Sequence, residues 1–184
     1  MLGREAATQF DLDRVTLVPT GQAAHKRIDP EPGGDVRLRL TEAAAAGDPL
    51  FEVSAIEIEF DGPSFSANTL ARLHEERPDD EFVFLMGADA AAGLESWHEP
   101  QRVLELARIG IAARPGSSLA VVDGIFERLS VAGGYELIRM PELAISSSEL
   151  RRRIAAGESI RYLVPEAVED AIAGAGLYRA QVRA

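Results

Sequence analysis

The sequence predicts an α/β domain built on a mostly parallel sheet. Short β-branched or aromatic runs alternate with helical stretches, as at Val15–Val18, Phe82–Met86 and Ile109–Ala113. Phe82–Met86 holds no polar residue, the pattern of a strand covered on both faces. No repeat or low-complexity linker divides the 184 residues, of which 46% are hydrophobic, so a single domain spanning 1–184 is expected. Its C-terminal part, about 145–180, reads as helical.

The elements follow in order. Residues 1–10 read as a helix, and the run Val15–Val18 is a strand ended by Pro19. Asp35–Ala46 reads as a helix with Leu38 and Thr41–Ala45 on its apolar side. Phe51–Phe60 reads as a strand through Val53, Ala55, Ile56 and Ile58. Ser66–Arg77 is helical, with Leu70 and Leu73 on one face and Pro78 as its stop. A further helix covers Pro100–Ala107, followed by the strand Ile109–Ala113, which runs into Arg114, Pro115 and Gly116. Tyr135–Arg139 is the last strand. Closing helices begin near Ser147 and Pro165, the second with Val168, Ala171, Ile172 and Ala175 at helical spacing.

Composition narrows the function. The formal charge of -11 argues against a broad nucleic-acid or anionic-membrane face, which makes any local basic cluster informative. Without cysteine there is no disulfide, thiolate or Cys-ligated zinc chemistry, and His25, His74 and His98 are too scattered for a local metal motif. No apolar run approaches the roughly 20 residues of a membrane span, and no signal peptide opens the chain, so a cytoplasmic protein is expected. Neither G-x-G-x-x-G nor G-x-x-x-x-G-K-[ST] occurs, which removes the main support for dehydrogenase and P-loop readings.

Ligands of such sheets gather beyond the carboxyl ends of the strands, where four segments carry chemistry. His25, Lys26 and Arg27 lie beyond the first strand and could hold a phosphate, or form a solvated surface loop. Gly62 and Pro63 turn the chain towards Ser64, Ser66, Asn68 and Thr69 at a helix start, suited to an anion or to ordinary capping by Ser64 or Ser66. Gly87, after Phe82–Met86, would admit a ligand close to the backbone. Asp89 could accept from a ribose hydroxyl or an ammonium, or bind a metal. Trp97 supplies an aromatic face that could stack on a ring or belong to the core. Ser146 and Glu149 have capping-box spacing, and Arg151–Arg153 follow close to that helix start, where the dipole disfavours cations unless an anion is expected. Hydroxyls, helix N–H groups and guanidinium together suit a polyphosphate.

These segments together resemble bacterial nicotinate-nucleotide adenylyltransferases. The resemblance rests on Phe82–Asp89 followed by Trp97, then Arg114–Gly116, then Ile145–Arg151, then Leu163–Pro165 through Leu177 and Tyr178. It runs from about Leu12 to Tyr178. It implies a Rossmann-like nucleotidyltransferase fold and transfer of AMP from ATP, with Mg²⁺, to nicotinate mononucleotide. The products would be deamido-NAD and pyrophosphate. By the same resemblance Gly87, Asp89, Ser146, Ser147 and Arg151 would bind ATP. Lys26, Ser66, Asn68, Thr69 and Trp97 would bind nicotinate mononucleotide, Trp97 by stacking on its ring. Neither nucleic acid nor a membrane is an implied partner, and a homo-oligomer is compatible.

The family opens with G-G-[ST]-F-D-P and then H-x-G-H, and neither occurs here. Residues 1–10 resemble the helix that follows those motifs, so the start is expected to lie about one strand and loop too late, roughly 20 residues. The first strand of the sheet and the catalytic histidine pair would be among them, leaving Arg151 as a supporting catalytic group. Ala24, Ser66 and Asn68 stand where the family has proline, threonine and aspartate. Two alternatives follow: a truncated nucleotide-binding module without turnover, and a sister adenylyltransferase acting on phosphopantetheine.

Overall fold

The computed structural model describes residues 1–23, 32–113, 119–129, 133–141 and 145–179. In chain order the elements are α1 (Leu2–Phe10), β1 (Val15–Leu17), the two-residue strand β2 (Gln22–Ala23), α2 (Gly34–Ala45), β3 (Phe51–Val53) and the two-residue strand β4 (Pro63–Ser64). Then come α3 (Ser66–Glu76), β5 (Val83–Gly87), the short α4 (Ala88–Ala91), a 3-10 turn at Leu94–Ser96 and α5 (Pro100–Leu106). The chain continues through β6 (Arg108–Ala112), α6 (Leu119–Arg128), β7 (Glu136–Ile138), α7 (Ser147–Ala155) and α8 (Glu166–Gly174). The α/β alternation read from the sequence is therefore present.

These elements form two compact units, one of Met1–Val15 with Ser64–Glu142, the other of Thr16–Pro63 with Leu143–Ala184. The first unit is built on a parallel sheet of order β5-β6-β7. Its central strand explains the layering, because alternate residues face opposite sides. Ile109 and Ile111 enter a core with Leu70, Met86, Leu94, Val103, Val122, Ile125 and Phe126. Ala112 faces the other side, against Ala6 and Ile138 with Leu2, Phe10 and Leu85 packed around them. Gly110 shares that face, where a Cβ would stand 2.7 Å from the Phe10 ring and 3.0 Å from Leu85, so α1 approaches only because this residue has no side chain. Gln9 fixes the same helix to the continuation of β7, donating to Arg139 O at 2.7 Å and accepting from Arg139 N at 2.9 Å.

Three sequence expectations change here. The fully apolar segment Phe82–Met86 is shifted by one residue to Val83–Gly87, and only Met86 in it is buried. It pairs with β6 alone among the described residues, whereas β6, in the middle, buries Ile109 through Ala112. The expected strand Phe51–Phe60 ends at Val53. Beyond it Ile58 N and Glu59 N both donate to Ala55 O, at 2.7 and 3.0 Å, and this helical-type turn ends the extended backbone. Helix α6 was not anticipated, although Val122, Ile125 and Phe126 bury one face at helical spacing.

In the second unit β1 pairs with β3, and α2 packs on both β3 and α8. Close approach again requires glycine, since a Cβ on Gly21 would lie 1.9 Å from the carbonyl oxygen of Glu57. Among the described residues no helix is long and apolar enough to cross a membrane.

Candidate functional site

In the first unit, site residues collect at the end of β5 and the start of α3. Gly87 ends the strand with ordinary extended geometry (φ −80°, ψ 154°), is exposed, and has nothing within 4 Å of where a Cβ would stand. The space over its backbone is open, as close ligand approach requires. Asp89 lies two residues on, in α4, exposed and without a side-chain hydrogen bond among the described residues. Both sit where a parallel sheet presents its ligands.

Helix α3 begins without the serine cap the sequence suggested. Phe65 occupies the N-cap in extended geometry (φ −114°, ψ 128°) and makes no side-chain cap bond. Ser66 lies one residue inside the helix, so its hydroxyl is not at the capping position. Burial of Ala67, Leu70 and Leu73 fixes the helix instead. The Thr69 hydroxyl bonds back to Phe65 O at 3.2 Å. Ser66 and Asn68 make no side-chain hydrogen bond among the described residues, so their polar groups stay available to a ligand.

Trp97 joins this group through its neighbours. Its half-buried ring meets Phe84 of β5 edge-on, with centroids 6.1 Å apart. The adjacent His98 ring lies 4.4 Å from that of Phe65, tilted by 34°. The Trp97 segment and the start of α3 therefore meet, and the sequence alone did not show which residues would join them. The next residue, Glu99, is left-handed (φ 48°), and its carboxylate lies 3.4 Å from His98 Nε2. Such geometry is uncommon for a residue with a side chain. It turns the chain sharply into α5, which opens with Pro100.

In the second unit the relevant helix is α7, starting at Ser147 as the sequence predicted. Ser146 Oγ accepts from Glu149 N at 3.1 Å, which is half of the expected capping box. The other half goes elsewhere, because the Glu149 carboxylate takes Arg152 in two bonds of 2.8 Å each. Arg152 also reaches Glu158 at 3.1 and 3.2 Å. These bonds hold the carboxyl groups of Glu149 and Glu158 below the usual range and push Arg152 further up. Arg153 donates to Ser159 O at 3.0 Å and approaches both carboxylates within 3.9 Å. Arg151 differs, since its one side-chain partner among the described residues is the Ser148 hydroxyl at 3.3 Å. The exposed Ser147 and the half-exposed Arg151 therefore remain available beside the helix N-terminus.

Lys26 and His25 lie outside the described residues, as do Arg114, Pro115 and Gly116. The edges of the first loop are described, and there sequence reasoning missed Arg37. This side chain donates to Thr20 O at 2.7 Å and also to the carbonyls of Gly21 and Pro32, described residues on either side of the segment that contains Lys26. An arginine on a helix gives no sequence signal for that role. Only the return of the chain to one helix reveals it.

A strand end with an open glycine, an exposed carboxylate and a polar helix start describes a nucleotide-binding α/β protein. In agreement, the cytidylyltransferase-like family matches residues 2–153. Similar curated proteins each bear the name "probable nicotinate-nucleotide adenylyltransferase". That of Thermomicrobium roseum is 40% identical over 93% of this chain and 80% of its own length. That of Frankia casuarinae is 39% identical over 95% and 90%. That of Geobacillus thermodenitrificans is 35% identical over 98% and 79%. Among solved structures, the Plasmodium falciparum nicotinic acid mononucleotide adenylyltransferase complexed with NaAD superposes with a TM-score of 0.72 at 19% identity, covering 96% of this chain and 87% of that one. This likeness confirms the fold. The chain belongs to the nicotinate-nucleotide adenylyltransferase family.

Proposed function

We propose that this protein transfers AMP from ATP to nicotinate mononucleotide, giving deamido-NAD and pyrophosphate. A phosphate oxygen of the mononucleotide attacks the α-phosphorus of ATP. The new P–O bond forms as the bond to the β-phosphate oxygen breaks, and pyrophosphate leaves with those electrons. The step calls for little covalent chemistry from the protein, so positioning and charge compensation dominate.

The residues divide the work by chemistry. In the first unit, the face of Trp97 would take the nicotinate ring, while Ser66, Asn68 and Thr69 at the start of α3 would take its carboxylate. Gly87 would admit the adenosine against its backbone, and Asp89 would accept from a hydroxyl of the nucleotide. In the second unit, Ser146, Ser147 and Arg151 would receive phosphate oxygens at the start of α7, with Lys26 adding a cation towards the mononucleotide phosphate. Mg²⁺ would enter as the ion carried by ATP. It would supply charge neutralisation. The observation that carries this reading is the meeting of the Trp97 segment with the uncapped start of α3, at Phe65 and His98.

The second reading is a nucleotide binder without turnover. Pyrophosphate release from ATP, followed with three acceptors in parallel, separates the readings. Faster release with nicotinate mononucleotide than with its amide is expected, and none with phosphopantetheine. Equal rates on acid and amide would remove the carboxylate role of Ser66–Thr69. Preference for phosphopantetheine would replace the substrate. Saturable mononucleotide binding without release would establish the second reading.

A further inference from the structure

Three consecutive arginines stand at positions 151–153, and α7 treats them differently. Arg152 is committed to carboxylates: Nε and Nη2 donate to the two oxygens of Glu149, while Nη1 and Nη2 donate to those of Glu158. Glu158 reaches this place because the chain reverses after α7. Gly157 adopts a left-handed conformation (φ 72°), and Glu158 N donates to Arg153 O at 2.8 Å. Arg153 is drawn into the same cluster through Ser159 O and both carboxylates. Arg151 has no carboxylate partner among the described residues.

We infer that Glu149 and Glu158 are positioning residues that occupy Arg152 and draw in Arg153, so that α7 presents one available guanidinium, Arg151, to the phosphates. The inference rests on the reading of α7 as the phosphate-binding helix and deepens it. Without the two carboxylates, three cations would compete for one polyanion along a single helical turn, and a phosphate chain could settle in several registers. Pairing two of them internally leaves one register. It also relieves the repulsion between adjacent guanidiniums; Arg152 and Arg153 prove to stand in the last turn of α7, where the dipole favours cations, and not at its start as the sequence suggested. Glu149 has a second part in this arrangement, because its amide is the one that Ser146 caps. The capped turn and the charge cluster thus share a residue, and the orientation of Arg151 is tied to both.

Calorimetric titration with inorganic tripolyphosphate tests this without requiring turnover. Three variants of the full chain suffice: Arg151→Gln, Glu158→Gln, and the double variant Glu149→Gln with Glu158→Gln. Arg151→Gln should weaken tripolyphosphate binding by about tenfold, the scale of a lost charge-assisted contact. Binding unchanged by Arg151→Gln would overturn the reading of α7 as the phosphate helix. The double variant releases Arg152 and should bind roughly three- to fivefold more tightly, or take up a second equivalent, with a steeper loss on adding salt. Glu158→Gln should move the same way by less, and because Glu158 lies beyond α7 it spares the helix itself. A purely structural role would instead weaken binding in both variants. If Arg151→Gln weakens binding while neither glutamine variant tightens it or alters its salt dependence, the positioning role is wrong and the phosphate reading stands.

Discussion

Helices α3 and α7 both begin in serine-containing segments, yet they are held in opposite ways. Helix α3 has no side-chain cap and buries Ala67, Leu70 and Leu73. Helix α7 has no fully buried residue, Leu150 and Ile154 being only half-buried, and is held by the Ser146 cap together with the Glu149, Arg152 and Glu158 cluster. A helix anchored by its apolar face can leave its polar first turn to a ligand. A helix without such an anchor needs its own cap and charges, and only what they leave over is available for binding. In α3 that remainder is Ser66 and Asn68; in α7 it is Arg151 and Ser147.

The contrast breaks most visibly in the core. Leu70→Ala should cost about 2–5 kcal/mol in urea unfolding, because it removes a buried side chain beneath α3. No truncation on α7 should approach that. Ser146→Ala is expected to cost about 1 kcal/mol, the usual value of a lost cap, and to appear as lost helix signal in circular dichroism. A Ser146→Ala effect as large as that of Leu70→Ala would mean that α7 has hidden packing of its own.

Two pH titrations sharpen the comparison further. Glu149 and Glu158 both titrate below their ordinary value of 4.5, chiefly because Arg152 bonds to them. A depressed carboxyl group stabilises the folded form above its unfolded pKa and loses that contribution as pH falls through the folded one. Helix signal from α7 should therefore hold down to pH 4.5 and decline only below it, whereas the double glutamine variant should lack that acid-dependent decline. In the first unit, Tyr135 is pushed up to about 12 by partial burial and by donating to Asp123 at 2.6 Å. A raised group contributes below its unfolded pKa of 10.0 and loses that contribution as pH rises towards 12. Ultraviolet absorbance should show one of the three tyrosines ionising last; Tyr135→Phe should remove that step.

The sequence made the frame of the molecule legible because strands and helices leave periodic apolar traces. The start of α7 was readable from Ser146 and Glu149 at capping spacing, since a cap is a local device. The strand at Phe51 was overextended because alternating apolar residues cannot announce that Ala55 O will accept two amides and turn the chain. Ser66 was a plausible cap by residue type, but whether a helix starts at Phe65 or one residue later depends on which leucines reach the core. The contact between Phe65 and His98, and the bonds of Arg37 to Thr20 and Pro32, join residues 33 and 17 or fewer positions apart through folding alone. No local pattern encodes them. The substrate, similarly, came from several motifs in order, never from one of them.

The single tryptophan offers the most direct test of the nicotinate assignment. Titrating the fluorescence of Trp97 with nicotinate mononucleotide should give saturable quenching, weaker with the amide and absent with tripolyphosphate, because only the pyridine ring stacks on the indole. Unchanged emission at mononucleotide concentrations that saturate binding by calorimetry would place the ring elsewhere and contradict the assignment of Trp97 and the start of α3 to the nicotinate.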